Sequence, residues 1–84
     1  MNREEFLKIK DELQNKLFCS ICVDYESFAD FSIGCFYDEK EEKWKVYFHY
    51  ERGLHRILLV TENEEEAFDE LLSTIYREIE LSSN

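Results

Sequence analysis

Cys19 and Cys22 stand three residues apart, the spacing shared by redox pairs and zinc sites, and Cys35, His49 and His55 are the residues left to complete a metal set. On a strand, residues three apart point to opposite faces. The cysteines are therefore expected to be buried structural thiols rather than ligands of a shared metal. His49 and His55 flank one turn together with Glu51, an arrangement that would suit proton transfer. A two-residue turn at Arg52-Gly53 would set Tyr50 opposite His55 and put His49 on the other face, so two unrelated, half-exposed histidines are expected. The chain has no Gly-x-Ser-x-Gly elbow and no HExxH. Gly34 and Gly53 are its only glycines, too few for a phosphate-binding loop. No catalytic role, cofactor or metal is expected, and an enzyme acting through His49 or His55 is the least favoured reading.

These residues sit on elements that the hydrophobic period marks out. Phe6, Ile9, Leu13 and Leu17 recur at helical steps over residues 2–17, and Asn2 followed by Glu5 has the form of a capping box. From Cys19 to Tyr25 the period changes to two, which reads either as a strand or as a frayed helix end followed by a loop. Residues 31–37 and 43–51 alternate more clearly. Trp44, Val46, Phe48 and Tyr50 form an aromatic face directed to the core, and Lys45, Tyr47, His49 and Glu51 form a mixed one. Residues 54–60 complete the hairpin at Gly53. The uninterrupted run Ile57-Leu58-Leu59-Val60 predicts a strand buried on both faces or central in the sheet. Thr61 and Glu64 suggest a capping box for a helix over 62–80, whose apolar face is Ala67, Phe68, Leu71, Leu72, Ile75, Tyr76 and Ile79, with residues 81–84 fraying behind it. The predicted fold is α+β: an antiparallel sheet of three to four strands with an N-terminal and a C-terminal helix packed on one face.

A chain of 84 residues supports one hydrophobic core, so residues 1–84 are read as a single domain. Seven Phe, five Tyr and one Trp supply enough large side chains to fill that core. Ten basic against twenty acidic residues leave a net charge of -10, which repels phosphate backbones and anionic lipid, so neither direct nucleic-acid binding nor membrane binding is expected. The charge is uneven: 0 over residues 1–18, -6 over 19–42, +3 over 43–60 and -7 over 61–84. Two acidic blocks thus flank a basic hairpin. A charged N-terminus, the absence of a long apolar run and an odd number of cysteines lead to the expectation of a cytoplasmic protein with reduced thiols.

The strand Trp44-Lys45-Val46-Tyr47 leading to Glu51-Arg52-Gly53, followed by the acidic block Thr61 to Ala67, resembles a small immunity-protein family of bacterial polymorphic toxin systems, immunity protein 59. The resemblance rests on Trp44, Val46, Tyr47, Glu51, Arg52 and Gly53 and covers less than half of the chain. It implies a cytosolic antidote that binds and neutralises a cognate toxin domain. Many such toxins are nucleases, whose basic, phosphate-binding surfaces an acidic protein can cover while steering its own association. The candidate partner-binding residues are Asp24, Glu26 and Asp30 in the first acidic block, Tyr47, Glu51 and Arg52 in the hairpin, and Glu62, Glu65, Glu66 and Asp69 in the second block. The alternative is an acidic interaction module or nucleic-acid mimic of an unrelated pathway.

Overall fold

The structure, a computed structural model, describes residues 1–82. Its elements run α1 (Arg3–Lys16), β1 (Ser20–Val23), β2 (Ser32–Asp38), β3 (Lys43–His49), β4 (His55–Thr61) and α2 (Glu64–Ser82). The fold is α+β, with a four-stranded sheet in the order β1-β2-β3-β4. One face of the sheet carries the core, where Phe6, Leu13 and Leu17 of the first helical segment and Ala67, Phe68, Leu71 and Ile75 of α2 meet Ile21, Ile33, Cys35, Val46 and Phe48. Trp44 and Tyr50 are half-buried at the margin of this cluster. No helix among the described residues is long and apolar enough to cross a membrane.

The helix starts follow from local chemistry. Asn2 accepts the Glu5 N–H while the Glu5 carboxylate accepts the Asn2 N–H, which is the expected capping box. At α2 the cap is displaced from the expected position: Asn63 Oδ1 accepts the Glu66 N–H, and Thr61 Oγ1 accepts the Asn63 N–H in the preceding turn. Both residues are short and polar, and the asparagine stands one residue before the helix. The helix also extends further than expected, to Ser82, with Tyr76 exposed rather than on the buried face. Ser83 and Asn84, the end of the expected frayed tail, lie outside the described residues.

Three features of the sheet differ from the sequence-based expectation. β2, β3 and β4 form an antiparallel meander, but β1 pairs with β2 in parallel, Ile21 opposite Ile33 and Cys22 opposite Gly34. Residues 24–31 form the connection, shorter than the dozen or so that a parallel crossover commonly takes. They turn back across the face of the sheet remote from the helices, between corners where Asp24 and Phe31 have φ of 74° and 58°. Next, β4 is an edge strand rather than a central one. With a neighbour on one side only, it leaves Ile57, Leu58 and Val60 between 37% and 49% exposed, and its register shifts opposite Val46 and Tyr47. Finally, Tyr50 N–H donates to the Leu54 carbonyl, so the hairpin encloses three residues, Glu51 to Gly53. Arg52 and Gly53 both take positive φ, 60° and 77°. This loop sets His49 opposite His55.

Candidate functional site

The chain direction decides where the acidic residues gather. β1, β2 and β4 all run toward the end of the sheet at which α1 and α2 begin. That end collects the first turns of both helices, the β2–β3 turn and the β4–α2 connection, and all four are rich in carboxylates. Helix N-termini carry the positive ends of the backbone dipoles, which stabilises carboxylates in the first turns at this acidic pole.

Arg3, Lys43 and Lys45 at the pole are held by in-chain partners. Arg3 pairs with Asp24 at the start of the crossover and reaches Glu64 Oε2 at 3.6 Å, joining the two acidic blocks. Its guanidinium lies over the rings of Trp44 and Phe68, at 5.6 and 5.4 Å. Lys43 Nζ is 2.9 Å from Glu62, and Lys45 Nζ is 2.9 Å from Asp38 and also bonded to Glu41. Lys45 and the backbone N–H groups of Glu41 and Lys40 hold the Asp38 carboxyl well below the ordinary range, at about 2. The amino group of Met1 pairs with Asp69. Glu65 and Glu66 are exposed on the first turn of α2. Of the sequence candidates, Asp24, Glu62, Glu65, Glu66 and Asp69 therefore belong to one surface.

The other candidates lie elsewhere. Glu51 and Arg52 are exposed in the β3–β4 loop at the opposite end of the sheet, and Asp30 is exposed near the end of the crossover. Tyr47 is fully buried and offers no surface to a partner while the crossover is in place. Its hydroxyl donates to the Tyr25 carbonyl at 2.9 Å and accepts the Ser27 N–H at 2.9 Å, and burial pushes the phenol above its ordinary range. Gly34 leaves the room for this: a Cβ there would lie 2.1 Å from the Cys22 carbonyl oxygen and 2.9 Å from the Tyr47 hydroxyl.

Beside Tyr47 the histidines meet, contrary to the expected separation. His49 Nδ1 and His55 Nδ1 are 2.8 Å apart, and His55 Nε2 is 2.8 Å from Glu26 Oε2. The His55 ring stacks between Phe28 and Tyr47, with centroids at 4.5 and 5.3 Å. Sequence reasoning missed this cluster because a two-residue turn shifts the register by one and reverses the face of every residue beyond it. A three-residue loop closed by glycine was the available signal.

The nearby serine hydroxyls bond to each other and to the crossover backbone. Ser32, opposite His49 on β2, bonds to Ser27 Oγ at 3.0 Å and donates to the Ala29 carbonyl at 2.8 Å. The cysteines are divided between the faces: Cys19 and Cys35 lie in the core, while Cys22 lies beside Gly34 and donates weakly to the Ser20 carbonyl. Burial raises the Cys19 thiol to about 11 and the Cys35 thiol to about 12. Among the described residues no group of three or more His, Cys, Asp or Glu side chains is placed to hold a metal ion. No protein-family model matches the chain, and neither a curated protein nor a solved structure matches it.

Proposed function

We propose that the chain is a protein-binding antidote whose acidic pole covers a basic surface of a toxin domain. The observation that carries this reading is the convergence of Asp24, Glu62, Glu65, Glu66 and Asp69, from two separate acidic blocks, on the end where both helices start. In-chain ion pairs hold Arg3, Lys43 and Lys45 close to the domain, while the exposed Glu65 and Glu66 project from a rigid helix turn. A preorganised, net acidic surface raises association rates with an oppositely charged partner, and little ordering entropy is lost when it docks. The resemblance around Trp44 to Gly53 supports an immunity role in the cytoplasm, and the charge favours a toxin with a phosphate-binding surface, such as a nuclease.

The experiment is co-expression with the protein encoded by the neighbouring reading frame. The proposal expects a complex that survives purification and relief of that protein's toxicity. Glu65→Gln with Glu66→Gln should weaken the complex while lowering folding stability by no more than about 1 kcal/mol per carboxylate, the contribution of a first-turn charge to the helix dipole. A neighbour that is neither bound nor neutralised would overturn the immunity reading.

A further inference from the structure

We propose that Glu26, His55 and His49 form a proton-operated latch that holds the 24–31 crossover against the sheet and releases it when both imidazoles are protonated. The latch stands apart from the acidic pole, near the opposite end of the sheet, and operates without a partner.

The geometry specifies the protons. Two ring nitrogens 2.8 Å apart can share one hydrogen and cannot accommodate two. If His55 donated from Nδ1 while neutral, its bare Nε2 would face a carboxylate oxygen at 2.8 Å. The consistent neutral arrangement therefore runs one way: His49 Nδ1–H donates to His55 Nδ1, and His55 Nε2–H donates to Glu26. The second nitrogen of His49 remains free to take a proton. That first proton leaves every hydrogen bond intact and balances the Glu26 charge. A second proton places two N–H groups head to head and two cations in contact, so the pair must part.

Parting the pair loosens the crossover because the same rings pack against it, which leaves it the hydrogen bonds of Tyr47 and Ser32 on this face. Phe28 stacks on His55 and meets His49 edge-on at 5.8 Å, and the adjoining Ser27 N–H donates to the Tyr47 hydroxyl. The Tyr47 phenol of β3 stacks on His55 and gains no charge as pH falls, and the crossover also carries Tyr25, Asp24 and Asp30. Glu51, Arg52 and Arg56 adjoin the pair along the β3–β4 hairpin. Lifting the crossover exposes Tyr47 and both histidines.

The test is amide hydrogen exchange, corrected for intrinsic rates, at about pH 7.5 and about pH 5. The latch predicts that protection at Ser27 falls by roughly tenfold or more at the lower pH while β3 amides of the core keep theirs. His49→Phe keeps an aromatic ring and removes the opposing nitrogen, so its Ser27 protection should not change between the two pH values. Ring 15N shifts of the unmodified protein at about pH 7.5 provide a readout that needs no variant, with the proton on Nδ1 of His49 and on Nε2 of His55. Unchanged Ser27 protection in the unmodified protein, the same pH response in His49→Phe, or the reverse tautomers would each overturn the proposal.

Discussion

Gly34 and Gly53 separate two reasons for having no side chain. At Gly53 the space is open, and φ of +77° alone disfavours a Cβ, so Gly53→Ala should cost about 1 kcal/mol. At Gly34 the obstacle is the carbonyl oxygen of Cys22, part of the paired strand, which cannot move without opening the parallel pair. Gly34→Ala should cost about 3 kcal/mol or more in urea unfolding, and equal losses at the two sites would contradict this account. The thiols give a second residue-scale prediction. Cys19 and Cys35, buried and raised to about 11 and 12, should resist alkylation at pH 8 in the folded protein and react promptly in denaturant. Rapid labelling of either in the folded state would count against their place in the core.

At the scale of elements, the start of α2 offers a direct comparison. Asn63→Ala removes the side chain that accepts the Glu66 N–H and should cost about 1 kcal/mol, more than Thr61→Ala, whose hydroxyl serves only the preceding turn. A larger loss from Thr61→Ala would restore the capping box that the sequence suggests. Both helices, most of their buried faces and three of the strands were legible because each follows one period over several repeats, as Phe6, Leu13 and Leu17 do, or Val46 and Phe48. The direction of β1 was not, because four residues of period two fit a parallel or an antiparallel neighbour equally well. Edge position was hidden as well. Ile57 to Val60 look like a buried strand until the sheet order shows that no strand lies beyond them. The cluster around His55 depends on the crossover and on the hairpin register, both products of tertiary pairing, so no local pattern announced it. The acidic candidates divided for a similar reason: Asp24 meets the second block through Arg3, a contact between distant parts of the chain.

For the whole molecule, the parallel course of the two helices and the return of β1, β2 and β4 to the same end turn a net charge of -10 into a polarised one. Asp38 shows that part of this charge stabilises the fold. Its carboxyl is held at about 2 by Lys45 and by backbone N–H groups, so its contribution is complete above the ordinary carboxylate range and is lost as pH falls from about 4 through about 2. Asp38→Asn should therefore be less stable than the unmodified protein at neutral pH, and the difference should shrink across that acid window. A difference that stays constant with pH would assign the effect to packing instead.

The central claim, that the acidic pole recognises a basic partner, is tested most directly by the association rate with the neighbouring frame's protein at low salt and at about 0.5 M salt. Electrostatic encounter predicts a slowing of roughly an order of magnitude or more with a smaller change in dissociation. Replacing Glu62, Glu65, Glu66 and Asp69 together with neutral residues should remove most of that salt dependence. An association rate indifferent to salt, or unaltered by the fourfold replacement, would contradict the claim.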